Sequence, residues 1–395
     1  MTSSQKAFRA PWVLPVAGPP IADAAVVTNA EGNIVYVGPQ NQMPECEVVE
    51  DFPGQAILPG LINAHTHLEF SDLTKPIGQP GMEFTQWISE VVACRRGQNQ
   101  TAENKTAAIE SGLHQCRDHG VAAVGEIATM PLLAEHYQEA GDCLVTVFQE
   151  VLGADQDAYD QKETELANNK QLLRENRIAD AISPHAPYSV PPALLDRLIN
   201  ISQESDTAVA MHLAETIAER TFVEDRSGPF LEMLEQFGIW KPEMYAAEDS
   251  FLKILRTLSR AKRSLIVHGN HLNAQELDFI SSVKQKMSIV FCPRTHLYFR
   301  HSDYPMEGIL ERRINLAVGT DSRASNPDLN LLEELREIRQ RFPDLSPETI
   351  LRMGTSNGAT ALGIADRLGI LEQGRAGRFC FAKLSDVTDP YSWLS

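Results

Sequence analysis

Short apolar runs alternate with stretches of helical periodicity through most of the chain. Near-continuous apolar strands separated by helices are typical of a parallel sheet, and eight such units favour a closed (β/α)8 TIM barrel of the α/β class. An open doubly wound sheet is the alternative, but no Gly-x-Gly-x-x-Gly follows any of the runs. The strands are predicted at 56–62, 121–127, 143–151, 178–183, 207–213, 264–268, 287–292 and 314–320, and the helices include 102–118, 159–175, 192–204, 273–284 and 328–341.

The two ends of the chain have a different pattern. Segments 24–28 and 34–37 are short β-type runs that flank a turn-like stretch containing Gly32, which predicts a hairpin. A similar run, 377–382, follows a glycine-rich turn near the other end. We therefore expect a small β-sandwich built from residues 1–56 and 371–395, beside a barrel domain of residues 57–370.

Composition narrows the class of protein. The 395 residues are 43% hydrophobic and 22% charged, which is enough to bury a full core. A formal net charge of -18 argues against nucleic acid or an anionic membrane surface as a partner. Six scattered cysteines without a C-x-x-C pair, no signal peptide and no bilayer-spanning apolar run predict a cytoplasmic protein. A homodimer is a candidate assembly.

His65 and His67 stand at the end of the first predicted barrel strand. Side chains at positions i and i+2 of a strand share a face, so both imidazoles are expected to point the same way. A His-x-His pair is by itself a weak signal, because two histidines in a polar loop are more common than a metal site. The other strand ends decide between the two interpretations.

Four more predicted strands end in a histidine or an acid. Each residue has an ordinary explanation: His212 as an interior histidine, Asp321 as a helix cap, His268 bonded to a carbonyl, Glu215 in solvent or His185 in a turn. The carboxyl ends of all strands meet at one face of a TIM barrel, where such enzymes carry their chemistry. Together the residues therefore predict one site. They are His185 (fourth strand), His212 and Glu215 (fifth), His268 (sixth) and Asp321 (eighth).

Three histidines and one aspartate would suit one divalent metal, Zn²⁺ first and Fe²⁺ as the alternative. A metal lowers the pKa of a bound water to about 7. Asp321 could then accept a proton from the water and Glu215 could protonate the substrate. The sequence lacks the His-Glu-x-x-His motif of zinc proteases, and it also lacks the signature of the small zinc deaminases. It contains neither the Gly-x-Ser-x-Gly motif of serine hydrolases nor a P-loop, so all four of these enzyme classes are disfavoured.

The ordered motifs resemble the amidohydrolase superfamily, in particular its mononuclear deaminase and chlorohydrolase branch. The resemblance rests on Pro-Gly-Leu-Ile-Asn-Ala-His-Thr-His (59–67), Ser-Pro-His-Ala-Pro-Tyr (183–188), His-Leu-Ala-Glu-Thr (212–216), His268 and Gly-Thr-Asp-Ser (319–322). It implies that His65, His67, His212 and Asp321 bind the metal, that Glu215 and His268 flank the water as catalytic residues, and that His185 faces the substrate.

Two-metal members often carry a carboxylated lysine at the fourth strand. The predicted fourth strand of this chain has no lysine, which favours one metal, although Glu126 and Glu150 remain candidate bridges.

The sequence motifs indicate the substrate less specifically than they indicate the metal ligands. Phe84 and Trp87 resemble an aromatic stretch that lies near the substrate in adenosine-type deaminases, although Trp87 would also suit a helix core. Thr85 stands where such enzymes have an acid that binds the ribose diol, and His296 stands where they have asparagine. The motifs are more similar to those of aminofutalosine deaminases.

The resemblance predicts a metal-dependent hydrolytic deaminase that releases ammonia from an aminopurine-type nucleoside. Such an enzyme hydrolyses a C–N bond other than a peptide bond. The alternatives are hydrolysis of another heterocycle, such as a chlorotriazine, guanine or a pterin, by the same metal-assisted mechanism, and a non-catalytic binding protein on the same scaffold. The latter would be expected to have lost ligands, and none is missing.

Overall fold

The computed structural model describes residues 5–97, 101–153, 156–245 and 249–395. The first four residues of the predicted sandwich segment 1–56 lie outside this range. The strands are β1 (Lys6–Val13), β2 (Ile21–Thr28), β3 (Ile34–Pro39), β4 (Val48–Asp51), β5 (Gln55–Pro59), β6 (Leu61–His67), β7 (Val121–Ala128), β8 (Leu144–Val151), β9 (Ala179–Pro184), β10 (Ala208–Leu213), β11 (Arg263–His268), β12 (Met287–Phe291), β13 (Asn315–Val318), β14 (Asp321–Ser322) and β15 (Phe379–Lys383).

The α-helices follow most of the barrel strands. They are α1 (Phe84–Gly97), α2 (Ala102–Asp118), α3 (Tyr159–Glu175), α4 (Pro192–Ser205), α5 (Ile217–Asp225), α6 (Pro229–Gln236), α7 (Phe251–Leu258), α8 (Ala274–Ser282), α9 (Pro293–Tyr298), α10 (Met306–Glu311), α11 (Leu331–Arg341), α12 (Pro347–Met353) and α13 (Ser356–Leu362). The predicted helices 102–118 and 159–175 coincide with α2 and α3. Over the described ranges, no helix is long and apolar enough to cross a membrane.

Strands β6 to β13 lie side by side in chain order, and all pair in parallel. The short strand β14, which follows β13, pairs in parallel with β6 and brings the last strand back to the first. The prediction of a (β/α)8 barrel is confirmed. Its carboxyl ends therefore meet at one face, as required for the predicted site.

The seam between the last and first strands is fixed by side chains as well as by the backbone. Asn63 Nδ2 donates to Thr320 Oγ1 at 2.7 Å, and the Thr320 N–H donates to Asn63 Oδ1 at 3.1 Å. Thr66 Oγ1 donates to the carbonyl of Asp321 at 3.0 Å. These buried contacts place Asp321 opposite the His-x-His pair, since Asp321 is in register with Thr66.

The predicted strand 56–62 is in fact two strands. β5 belongs to the small sheet and β6 begins the barrel, with Gly60 between them. A Cβ on Gly60 would lie 2.5 Å from the Cβ of Ala122, so only glycine fits where the chain passes between the two sheets. The apolar pattern did not show this division because both strands are buried.

The two chain ends form one small sheet in the order β15-β5-β1-β2-β3, with β4 also paired to β1. The predicted hairpin is confirmed as the antiparallel pair β2 and β3. At the other end of the chain, β15 pairs antiparallel with β5, which confirms that both ends build the appended β unit. Aromatic rings cover this sheet, with Phe52 stacked on Phe381 at 4.0 Å between centroids.

Candidate active site

Four of the predicted residues lie within contact distance at the carboxyl end of the barrel. His65 Nε2 and His67 Nε2 are 3.4 and 3.5 Å from Asp321 Oδ1, and His67 Nε2 is 3.3 Å from His212 Nε2. Ligands about 2.0–2.1 Å from a tetrahedral zinc ion are about 3.3 Å apart, so these separations are those of groups that share one ion. The structure thus brings together the ligand set that the resemblance implied.

Two of the predicted site residues have unusual backbone conformations. His268 and Asp321 have φ angles of 68° and 54°, in the left-handed region that non-glycine residues seldom adopt. Ala214, between His212 and Glu215, has a φ of 55°. Such conformations cost about 1–3 kcal/mol each and cluster at functional sites, where they direct side chains that regular strands would not.

Neighbouring groups fix the orientation of two ligands. His212 Nδ1 lies 2.9 Å from the carbonyl oxygen of His185, so Nδ1 carries the proton and Nε2 is free to bind a metal. Ser325 Oγ donates to Asp321 Oδ2 at 2.7 Å, which leaves Oδ1 facing the histidines. Thr295 Oγ1 lies 3.0 Å from the same serine hydroxyl.

The chemistry of the group fits a divalent metal ion. Both ring nitrogens of His65 are buried and make no hydrogen bond to any described residue, an arrangement that is costly unless an ion or water satisfies them. Burial, followed by the neighbouring charge of His65, lowers the pKa of His67 and His212 well below the usual value. Both imidazoles are therefore unprotonated at neutral pH, the form that binds metal.

Asp321 is held in the ionised form. Burial alone would raise the pKa of its carboxyl, but the contact with His65 and the charges of His268 and His67 bring that pKa below the ordinary value for aspartate. A carboxylate at this place supplies the negative charge that a divalent cation requires among neutral imidazoles.

The pKa of Glu215 is shifted in the opposite direction. Its side chain is buried, with Oε1 3.4 Å from His268 Nε2, and burial followed by the charges of Asp321 and Glu219 raises its pKa well above the usual value. A carboxyl with a raised pKa beside the predicted metal ligands is suited to proton donation.

The backbone of Glu215 is held by two further polar side chains. Its N–H donates to Glu219 Oε2 at 2.7 Å, and Asn270 Nδ2 donates to its carbonyl at 3.0 Å. Glu219 also accepts from the N–H of Ala214 at 3.2 Å. These bonds keep the loop after β10 in one conformation.

The predicted aromatic residues lie together on α1. The rings of Phe84 and Trp87 are 5.6 Å apart, and both pack against Phe299 at 5.0 and 5.1 Å. Trp87 Nε1 is buried and donates to no described residue. An indole N–H without a partner is available to an acceptor on a bound molecule. Their role as substrate contacts stays a prediction.

The two remaining predicted substrate contacts lie in different surroundings. His185 is adjacent to the metal group, with its ring 5.2 Å from that of His212, and its pKa is lowered to about 4 by burial and by the charge of Arg95. The ring of His296 packs edge-to-face against the stacked rings of Phe291 and Tyr304, and its Nδ1 accepts from Arg341 at 2.9 Å. Its contact with substrate also stays a prediction.

The candidate bridging acids have separate positions. Glu126 Oε2 accepts the N–H of Leu68 at 2.9 Å and so holds the turn that follows His67. Glu150 lies close to His185 and His212, with one potential ligand atom of each within 4.8 Å of the others. Burial raises the pKa of Glu150 to about 7.

Sequence reasoning missed the residues that hold the site. Glu219 and Ser325 are not among the predicted site residues, but their side chains position Glu215 and Asp321. The spacing of Thr216 and Glu219 is a capping-box pattern, and Thr216 Oγ1 accepts the Glu219 N–H at 3.0 Å. That pattern is typical of a helix start and does not indicate an acid turned back toward the loop that carries Glu215.

Comparison with known proteins agrees with this geometry. The amidohydrolase family model matches residues 56–391. A 5-methylthioadenosine/S-adenosylhomocysteine deaminase of Desulforudis audaxviator is 25% identical over 388 residues, covering 93% of this chain and 82% of the relative.

Solved structures share the fold at lower identity. The Helicobacter pylori aminofutalosine deaminase in complex with methylthio-coformycin superposes with a TM-score of 0.83 at 22% identity, covering 98% of this chain and 95% of that one. The zinc complex of atrazine chlorohydrolase from Arthrobacter aurescens gives a TM-score of 0.81 at 19% identity, covering 98% and 90%. With the family model spanning the barrel, the predicted class of enzyme is confirmed: this chain belongs to the amidohydrolase family.

Proposed function

We propose that this protein is a hydrolytic deaminase that removes the exocyclic amine of an aminopurine nucleoside and releases ammonia. The observation that carries the proposal is one group of largely buried side chains, in which Asp321 Oδ1 lies 3.4 and 3.5 Å from the Nε2 atoms of His65 and His67, and Glu215 Oε1 lies 3.4 Å from His268 Nε2. Deamination requires a proton donor for the ring and a proton acceptor for water. The relative that acts on methylthioadenosine and the aminofutalosine deaminase structure support the purine assignment.

His65, His67, His212 and Asp321 would hold one divalent metal. We assign zinc, because imidazole-rich sites suit it and a structural neighbour contains it, with Fe²⁺ as the alternative. When bound, the metal would make water acidic enough to attack at neutral pH.

The chain's own residues account for the proton movements. Glu215 donates its proton to the ring nitrogen next to the amine-bearing carbon, which removes the charge that attack would place on the ring. Asp321 takes a proton from the attacking water and passes it to the amine, which leaves as ammonia. The remaining hydroxyl proton returns to Glu215 as the carbonyl forms.

The residues around the reacting groups position them and exclude solvent. His268 Nε2, 3.4 Å from Glu215 Oε1, holds and polarises the water. Phe84 and Trp87 would cover the base and exclude solvent, which strengthens these interactions.

A panel of substrates tests the proposal. Purified protein should release ammonia from 6-aminopurine nucleosides, aminofutalosine among them, and leave the 6-oxo product. The second candidate, hydrolysis of another heterocycle, is favoured only by the structural similarity to the chlorohydrolase. Release of chloride from a chlorotriazine, or of ammonia from a pterin or guanine alone, would replace the purine assignment with that candidate.

A further inference from the structure

Glu150 lies at the carboxyl end of β8, next to two of the predicted site residues. It is partly exposed, and its carboxylate accepts no hydrogen bond from any described residue. It forms one group with His185 and His212, in which one potential ligand atom of each residue lies within 4.8 Å of the others. A bound molecule that covers this partly buried acceptor is favoured if it supplies a hydrogen-bond donor, and disfavoured if it does not.

The neighbouring histidine also presents an acceptor. His185 Nδ1 lies 2.6 Å from Ser189 Oγ, and that hydroxyl donates its only hydrogen to the carbonyl of Ala186 at 3.1 Å. Ser189 therefore accepts from His185 Nδ1–H. In the neutral imidazole this leaves Nε2 as an acceptor. Glu150 and His185 thus both offer an acceptor at this place, and a carboxylate oxygen of Glu150 lies within 4.8 Å of a ring nitrogen of His185.

A second metal does not explain this pair. His212 is the third member of the group, but its Nδ1 is bonded to the carbonyl of His185 and its Nε2 faces His67. Only two unengaged ligand atoms remain, fewer than the three or four protein ligands that catalytic and structural zinc sites use. The pair is better matched by a molecule that offers two neighbouring hydrogen-bond donors.

We propose that Glu150 and His185 form a sugar-binding subsite that accepts hydrogen bonds from the hydroxyl groups of a ribonucleoside. The assignment rests on the proposed function, because it places a nucleoside in the barrel mouth. The vicinal 2′- and 3′-hydroxyls of ribose supply two adjacent donors. A 2′- or 3′-deoxy sugar lacks one of them and leaves an acceptor unpaired. Glu150 is then a specificity-determining residue of the site.

The discrimination is measured at about pH 8.5, because burial raises the pKa of Glu150 to about 7 and the carboxylate is ionised above that value, so its hydrogen bonds are those of a charged group. Such bonds contribute about 1.5–3 kcal/mol, equivalent to roughly 10- to 150-fold in affinity. Wild-type protein should therefore prefer adenosine over 2′-deoxyadenosine or 3′-deoxyadenosine by at least about 10-fold in kcat/KM. In Glu150→Gln the preference should fall to a few-fold, through a higher KM for adenosine and little change in kcat.

Controls separate this role from a structural one. Glu175→Gln, an exposed change at the end of α3, should keep the full preference. Glu150→Asp keeps the charge on a shorter side chain and should restore part of the preference. Metal content of Glu150→Gln should equal that of wild type, whereas loss of one of two metals per chain would overturn the assignment in favour of a bridging ligand.

Binding measured by calorimetry distinguishes failure of the inference from failure of the proposed function. If no purine nucleoside is deaminated but adenosine binds about 10-fold tighter than the deoxy analogues, the function fails and the subsite stands. If wild-type protein binds adenosine and both deoxy analogues equally, or binds none of them, the subsite is wrong whatever the variants do.

Discussion

Two carboxyl groups a few ångströms from one cluster of histidines have their pKa values moved in opposite directions. Burial and neighbouring acids raise the pKa of Glu215, while contact with His65 and the charges of His268 and His67 lower that of Asp321. Such divergence assigns the acid and the base of a hydrolytic site without reference to any substrate. The catalytic roles of these two residues stay predictions, which the following two experiments test.

Replacing Glu215 tests the proton donor. Glu215→Gln preserves shape and the backbone bonds to Glu219 and Asn270, which involve the N–H and carbonyl of residue 215. The variant should fold and keep its metal, yet lose about 10²–10⁴-fold in kcat, the usual contribution of general acid catalysis. Turnover near the wild-type rate would show that Glu215 has only a structural role.

The pH dependence gives a second test at the same residue. A raised pKa extends to higher pH the range in which the Glu215 carboxyl holds its proton, so activity is present below that pKa and is lost as pH rises through it. The pH profile of kcat/KM should therefore show an alkaline limb in wild-type protein that disappears from the residual activity of Glu215→Gln. An alkaline limb that persists unchanged in the variant would assign the titration to another group.

At the scale of elements, the first and last barrel strands must approach closely for the metal group to form. A Cβ on Gly319 would lie 2.7 Å from the carbonyl oxygen of His65 and 2.8 Å from its Cβ. Both contacts are with parts of β6 that cannot rotate away. Gly319 is therefore required at the crossing that carries Asp321 to the histidines.

A matched pair of substitutions measures this requirement. Gly319→Ala should displace His65, lowering the metal content and the thermal midpoint, with a stability loss of about 1–3 kcal/mol as for other overpacked core positions. Gly18→Ala is the control, since nothing lies within 4 Å of its Cβ and its φ is not positive. Equal metal content and melting temperature in both variants would show that the seam can relax.

The sequence predicted the repeating elements better than the places where they depart from regularity. Helices 102–118 and 159–175 follow periodic patterns and match α2 and α3. Asp321 was expected at the end of the eighth strand, but it begins a separate strand, β14, with a left-handed φ. Neither this bend nor the turning back of Glu219 leaves a periodic signal, because both depend on contacts between distant strands and loops.

For the whole molecule, the ligand group predicts one tightly bound divalent metal per chain. The described residues place four ligands around one centre, and the carboxylate of Glu126 is engaged elsewhere, by the N–H of Leu68. Elemental analysis of purified protein should give a ratio near one, and chelation should abolish activity that added Zn²⁺ restores. A ratio near two, with both ions required for activity, would contradict the single-metal assignment.

The hydrolytic deamination itself can be followed atom by atom. The protein is incubated with the adenosine-type nucleoside that reacts fastest, in water enriched in oxygen-18, and product and ammonia are quantified together. The account predicts one ammonia per nucleoside consumed and one labelled oxygen at the carbon that carried the amine. Product without the label, ammonia in unequal amount, or no reaction with any aminopurine nucleoside would contradict it.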